Sequence, residues 1–479
     1  MRLKNILLLI PALLLGLSSC NYLDIVPVGE VIPETVTDFR GVLTSGYYYI
    51  PKHKQLLNVR SDEMDMPGSS SSYMDIARWN DATTSTSAMA FPWLDFYRTI
   101  FYANTVIHEG ANAKPDGSEP IEQLHGEAYL LRAYMHFELV NMYGKPYNEA
   151  TAATDKAIPL NLVTDIEQVF RRATVAKVYE QVEKDIEKGL SLISLNQQEG
   201  SKKYRFSRSS AFVFKARVKL YKKDYASALE SAKAAMALGA LSNLNTTALS
   251  PINYMADDNL MASDLVSNSN LNNSRNFTVT DKIMALYDSE NDLRPAYYFN
   301  GQALIKGAKS EERVGFRMAE AYLIAAEATA HLGNTADAAA YMSTLAENRL
   351  KPEAAEARKI ALAAMSKEQL IAEIANERIR ELIGEGHRWY DLRRTTQEEL
   401  SKTVNKVAVT LPQGDPRYTL RIPQSAIEAN PELQDKSQNP IKQIGRIVLF
   451  ARFFFASAFI VILHMTTLYF FRAHLTLTE

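Results

Sequence analysis

The sequence predicts a mainly α-helical protein, with about four degenerate helix hairpins packed against an irregular, loop-rich region. Three observations predict it. Apolar residues recur three and four apart in several long stretches, the period of a helix with one buried face. In two places small and large residues alternate as facing helices require. A late stretch, Asn376 to Arg394, joins an apolar stripe to dense charge. Ile371, Ile374, Ala375, Ile379, Leu382, Gly386 and Trp389 fall on one side of that helix. Glu377 with Arg380, Arg378 with Glu381, and Glu385 with Arg388 sit three apart, the spacing of ion pairs on one face. Gly386 stands where another backbone could approach closely or the helix could end.

A chain of 479 residues, 47% of them hydrophobic, can bury a large core and has the length of about three domains. Its formal net charge is −2 and no basic block occurs, so the electrostatic footprint of a nucleic-acid binder is missing. Cys20 is the single cysteine, which excludes disulfides within the chain and cysteine-based zinc sites.

At the amino terminus Arg2 and Lys4 precede a short apolar run from Ile6 to Leu15, then Gly16-Leu-Ser-Ser-Cys20. This is a secretory signal, too short to span a membrane as a mature helix. Leu17-Ser-Ser-Cys20 is similar to a lipobox, in which Cys20 is acylated and becomes the first mature residue. Acyl chains there tether a soluble body to a membrane leaflet. Pro27 and Pro33 then rule out a long helix and predict an extended strap. Tyr47-Tyr-Tyr49, Ser61-Asp-Glu63 and the serines from Ser69 to Ser72 belong to an irregular stretch between short helices.

Helical period resumes at Trp93, with Leu94, Tyr97, Ile100, Phe101, Asn104 and Ile107. It resumes again from Glu122 to Tyr143, where Gly144, Lys145 and Pro146 stop it. A further pair runs from Val175 to Leu195 and from Ser209 to Leu238. Within it, Ala216, Leu220, Tyr221, Tyr225, Ala228 and Ala232 have the spacing of a tetratricopeptide hairpin. Glu320 to Ala328, then His331-Leu-Gly-Asn334 and Ala336 to Ala340, repeat that plan. The repeat units are therefore 93–143, 175–238, 316–349, and the charged late helix with the helix before it. Between them, Leu241 to Glu312 loses the period and fills with Asn, Ser and Asp, the kind of long irregular segment that tends to be functional.

The late helix carries a resemblance as well as a pattern. Glu377-Arg378, Glu381-Leu382, Glu385-Gly386, Arg388-Trp389, Asp391-Leu392 and Arg394 resemble the signature helix of the SusD/RagB family, surface lipoproteins that bind nutrients, mostly glycans. Gly126 to Ala133, Tyr143-Gly-Lys-Pro-Tyr147, Asp292-Leu-Arg294 with Tyr297-Tyr-Phe299, Ile422 to Pro431, and Gln438-Asn-Pro440 are similar to other phrases of the family. The resemblance covers about residues 17 to 440. It implies a SusD-like fold with tetratricopeptide-like packing, a signature helix that is structural, and a lipid-anchored position at the outer membrane facing outward. It also implies a glycan ligand, no catalysis, no cofactor, and a role as lid on a SusC-like TonB-dependent transporter.

The chain then divides into 1–19, a lipoprotein signal peptide; 20–92, strap and N-terminal loop-rich region; 93–240, N-terminal helical repeats; 241–315, irregular insertion; and 316–440, C-terminal repeats with the signature helix. The remainder, 441–479, is an apolar tail that the family pattern does not contain. Ile447 to Leu463, with Arg452 inside, is at the lower edge of membrane-spanning length, and the tail reads as an aberrant reading frame.

No Gly-rich phosphate loop, nucleophile elbow or His-Glu-x-x-His motif occurs, and no metal site is expected. Glu381 and Glu385 could in principle hydrolyse a glycan, but Arg378 and Arg388 on the same helix would neutralise them. Recognition remains, and sugar rings suit aromatic platforms edged by hydrogen-bonding groups. Trp389 and Trp93 are expected in the core. Trp79 lies in a polar loop, in a part of the chain that glycan binders of this family often use. It is the expected platform, with Asp65, Tyr73, Arg78 and Asn80 as hydrogen-bonding neighbours. The alternative is that Trp79 pins the loop to the helices. At the level of function, a tetratricopeptide scaffold for proteins and a glycan hydrolase are the rival readings.

Overall fold

The computed structural model of the chain describes residues 32–82, 87–165 and 167–434. The signal segment, Cys20, the strap from 21 to 31, the phrase at 438–440 and the tail 441–479 lie outside the described residues.

Helix α1, Val36–Tyr48, opens with a capping box: the Asp38 amide donates to Thr35 Oγ1, and the Thr35 amide to Asp38 Oδ2 at 2.9 Å. Pro51 ends the segment, and α2, Lys54–Arg60, follows. Helix α3, Trp93–His108, buries Phe96, Thr99, Ile100, Ala103, Asn104, Val106 and Ile107. The expected stripe is thus rotated, since Leu94 is 66% exposed and Phe101 37%. Helix α4, Ile121–Tyr143, is buried almost all round because α1, α3 and α5 (Val175–Leu192) all pack on it. Glycine makes the α4–α5 contact close: a Cβ on Gly126 would lie 2.5 Å from Ile193 Cγ2 and 3.0 Å from the Gly189 carbonyl oxygen.

The next helices, α6 (Arg208–Tyr221) and α7 (Tyr225–Met236), form a tight hairpin, with Lys223 at φ 63° in the turn and Asp224 capping α7. Helices α8 (Met318–His331) and α9 (Thr335–Glu347) repeat this, with Gly333 in the turn and Asn334 as cap. Two of the expected units are drawn differently. Helix α5 pairs with α4, not with α6, because its single apolar stripe meets the buried α4 while three residues join α6 to α7. Helices α10 (Pro352–Ala363) and α11 (Lys367–Leu382) pack mainly on α9 and on α8, instead of on each other.

The insertion contributes short strands that tie the loop-rich region down. Strand β1, Met64–Asp65, pairs antiparallel with β3, Thr278–Val279; β2, Asn259–Asp264, pairs antiparallel with β4, Val314–Arg317.

The signature stretch is two helices instead of one. Helix α11 ends at Leu382, Gly384 and Gly386 turn the chain at φ 75° and 83°, and α12, His387–Arg394, begins. Gly386 also fulfils the close-approach expectation, since its Cβ would stand 3.1 Å from Lys54 Cα. Of the three same-face ion pairs, only Glu377 with Arg380 forms, at 2.7 Å. The break redirects the others. Arg378 grips Asp391, and Arg388 grips Asp62 at 2.7 and 2.8 Å. Glu381 is wholly buried and accepts from Arg317 at 2.9 Å, Arg349 at 2.9 Å and Arg294 at 3.1 Å. Glu385 accepts from Lys306 and Arg317, each at 2.7 Å. Asp258 completes the set, taking Arg349 at 2.5 Å and the Ala319 amide at 2.8 Å.

Burial pushes the Glu381 carboxyl up, but the guanidiniums of Arg349, Arg317 and Arg294 outweigh it and hold it well below the carboxylate range. Burial also lowers the Lys306 ammonium to about 8, against the pull of Glu385. The two signature glutamates are therefore neutralised as expected, by cations from the insertion, β4 and the end of α9, in place of Arg378 and Arg388.

Candidate functional site

A cleft of about 700 Å³ opens where the end of α1, the start of α3 and strand β2 meet. Three consecutive tyrosines build its wall. At 100° per residue, a helix end cannot turn three neighbours the same way. Tyr47 goes inward: its hydroxyl donates to Glu127 at 3.2 Å and accepts from the Phe206 amide, and its ring meets Tyr204 edge-on. Tyr48 goes outward and is 81% exposed. Tyr49 lies between, its ring parallel to Tyr102 at 5.8 Å and under the Arg98 guanidinium at 4.7 Å. Tyr48 and Tyr49 meet edge-on at 5.3 Å, and Tyr48 is the more exposed ring of the two.

The floor is charged but closed. Lys54 Nζ sits 2.6 Å from Asp264 Oδ2, and the Tyr134 hydroxyl donates to the same oxygen at 3.2 Å. Both members of the ion pair are buried, and burial with the Asp264 charge keeps the Tyr134 phenol neutral far above its usual range. Lys52, Gln55, Asp95, Arg98, Ser263 and Arg313 supply the polar lining.

None of the five expected platform residues lines this cleft. Trp79 is 1% exposed; its Nε1 donates to the Arg60 carbonyl at 2.8 Å and the Lys402 ammonium lies 4.7 Å over its ring. Its backbone is held at φ 55°, a left-handed conformation that a bulky residue keeps only when its surroundings impose it. A ring covered in this way offers no face to a sugar, and the geometry is that of a pin holding the loop. Asp65 accepts from the Thr403 amide at 2.7 Å, and Asn80 donates to Asp75 at 2.8 Å. Arg78 is half-buried, and Tyr73 is 4% exposed beneath Asn268. Tyr73 does join the cleft indirectly: Asn268 donates to its hydroxyl at 3.0 Å and to Gln55, a lining residue, at 2.7 Å. The signal that could have found the cleft was the Tyr47-Tyr48-Tyr49 run ahead of Pro51.

A second cleft, of about 450 Å³, lies between α6, α7, α8, α11 and α12. Its charged groups largely hold one another, Arg394 on Glu327 at 2.8 Å and Arg378 on Asp391 at 2.8 Å. Among the described residues, no group of His, Cys, Asp and Glu is placed to hold a metal, and no helix is long and apolar enough to cross a membrane.

Comparison with known proteins places this architecture. Residues 21–220 match a family described as "Starch-binding associating with outer membrane", and residues 298–441 match the SusD family. A SusD-like protein of Formosa agariphila is 29% identical over 156 residues, which are 31% of this chain and 26% of that relative. That match therefore spans about a quarter of the curated relative. A crystal structure of a SusD superfamily protein from Bacteroides fragilis superposes with TM-score 0.70 at 21% identity, covering 84% of this chain and 99% of that one. A SusD-like carbohydrate-binding protein from Bacteroides vulgatus gives 0.63 at 18% identity, covering 84% and 97%. At those identities the likeness shows the fold. The structural likeness defines a mainly helical fold, and the family matches define a binding protein without catalytic function. The chain belongs to the SusD/RagB family.

Proposed function

We propose that this chain is an outer-membrane lipoprotein that holds an oligosaccharide in the tyrosine-lined cleft and delivers it to a SusC-like TonB-dependent transporter as its capture and lid subunit. The observation that carries the reading is the Tyr48–Tyr49 pair, one ring projecting and one stacked, at the mouth of the cleft of about 700 Å³, in a family described as starch-binding. Aromatic faces cover the apolar faces of pyranose rings, and Gln55, Ser263 and Asp95 suit their hydroxyls.

Tyr48→Ala is expected to lower affinity for a bound oligosaccharide about fivefold, the equivalent of about 1 kcal/mol. Melting should be unchanged, because a ring 81% exposed contributes little to the core. Calorimetric titration with a panel of oligosaccharides, beside thermal melting, reads both. Equal affinity in the variant for every oligosaccharide bound would remove the cleft from the site.

Attachment has its own test. In a cell fed labelled fatty acid, the parent chain should carry label and sediment with membranes, and Cys20→Ala should lose the label and release the body. Labelling unaltered by the substitution would overturn the lipobox reading.

A further inference from the structure

The charge lining the cleft is not that of a site for neutral sugar. We infer that the cleft selects oligosaccharides whose rings carry anionic groups, carboxylate or sulfate; this deepens the glycan reading and rests on it. Lys52, Arg98 and Arg313 line the cleft, with Lys54 directly behind Asp264. Against these four cations stand two carboxylates, Asp95 and Asp264.

The carboxylates are already engaged. Asp264 is 3% exposed, and its oxygens take Lys54 at 2.6 Å, the Tyr134 hydroxyl at 3.2 Å and the Ser263 hydroxyl at 3.3 Å. Asp95 meets Arg98 at 3.3 Å. What remains is positive. Lys52 is exposed and makes no hydrogen bond or ion pair among the described residues. Arg313 donates through Nη1 to the carbonyls of Ser310 and Glu312 at 2.7 Å each, and no carboxylate pairs with it among those residues. Glu311, its neighbour in the loop, lies within electrostatic reach of Arg313 without pairing with it, accepts from Ser310 and does not line the cleft. Arg205 stands behind the wall, its Nε donating to the Tyr204 hydroxyl at 3.1 Å, also without an ion pair.

A surplus of cation over carboxylate, in a chain whose formal net charge is −2, is a local concentration of positive charge. Cations set around stacked aromatic rings suit a ligand whose faces are sugar and whose edge is anionic. A neutral glycan would leave Lys52 and Arg313 unanswered. One carrying uronate or sulfate groups every residue or two would meet both while resting on Tyr48 and Tyr49.

The test is titration of the purified body with oligogalacturonides and their carboxyl-reduced twins, sulfated carrageenan oligosaccharides and their desulfated twins, and maltohexaose. At 50 mM salt the preferred acidic ligand should bind about tenfold more tightly than its neutral twin, and 0.5 M salt should erode most of that ratio. Lys52→Gln with Arg313→Gln should bring the ratio near one, and Lys52→Gln alone, which breaks no contact, should lower it partway. The carboxylate and sulfate arms say which anion is preferred. Equal binding of acidic and neutral twins, weakened in both by Tyr48→Ala, would overturn the selectivity and leave the glycan cleft standing. So would a preference that survives both glutamine substitutions. Binding of no member of the panel would sink the cleft reading along with the selectivity.

Discussion

Replacing Glu381 with alanine is expected to destabilise the protein by about 3–5 kcal/mol, the scale for removing one partner of a buried charge set. The reason is arithmetic of charge, not loss of one contact. Glu381 is the anion shared by Arg294, Arg317 and Arg349, which come from the insertion, β4 and the end of α9. All three guanidiniums are buried, and only Asp258, Asp292, Glu377 and Glu385 remain to hold them once Glu381 is gone. Chemical denaturation of the parent and the variant measures the cost. A midpoint shift worth less than about 1 kcal/mol would show that the network closes without its centre. Glu381→Gln, which keeps the shape and one acceptor oxygen but loses the charge and turns the other oxygen into a donor facing guanidiniums, should also destabilise the protein.

Trp389→Ala should cost a similar amount, about 3–5 kcal/mol, through a different cause. The indole is 0% exposed, stacks on Tyr418 at 5.0 Å and 17°, and lies under the Arg60 guanidinium at 4.9 Å. Truncation leaves a void between α12, α2 and the segment around Tyr418. Thermal melting records the loss, and titration of the protein still folded at low temperature should give the parent affinity, because Trp389 does not line the cleft. Unchanged melting together with lost ligand binding would place Trp389 in the site and overturn its structural role.

What could be read in advance follows the physics of each element. Helices α3, α4, α6 to α9 and α11 announce themselves because one face repeats at 3.6 residues, a local property. Hairpin partners within three or four residues were equally plain at His331-Leu-Gly-Asn334. The partner of α5 was not, because thirty or so residues of loop hide which neighbour its stripe meets. Charge pairing failed for the same reason. Glu381 and Arg378 look satisfied by each other within their own helix, whereas Gly384 and Gly386 bend the chain, bring Asp391 back to Arg378, and leave Glu381 to Arg294, Arg317 and Arg349 from elsewhere in the sequence. In the site, a tryptophan in a polar loop suggested a platform. Whether its face is open depends on Lys402, which arrives from a distant hairpin and covers it. Tyr48 depended on nothing distant. Its exposure follows from the helix rotation beside an inward Tyr47.

The grip of Asn58 on the signature turn carries a consequence for the order of folding. Its side chain donates to the Gly384 carbonyl at 2.7 Å and accepts from the Gly386 amide at 2.8 Å, while Arg388 takes Asp62 and Lys402 caps the carbonyls of Val59 and Ser61. Helix α2 is thus closed by residues more than 320 positions downstream. A chain emerging amino terminus first can nucleate the α3–α4 and α6–α7 packing from near neighbours, yet must carry α2 without the signature turn and Lys402 until the last quarter arrives. Such high contact order slows the final step and leaves the apolar side of α2, Leu56, Leu57 and Val59, open to solvent meanwhile. The cleft inherits that delay, since Leu56 and Gln55 help to line it: it takes its shape only when the two ends of the chain have met.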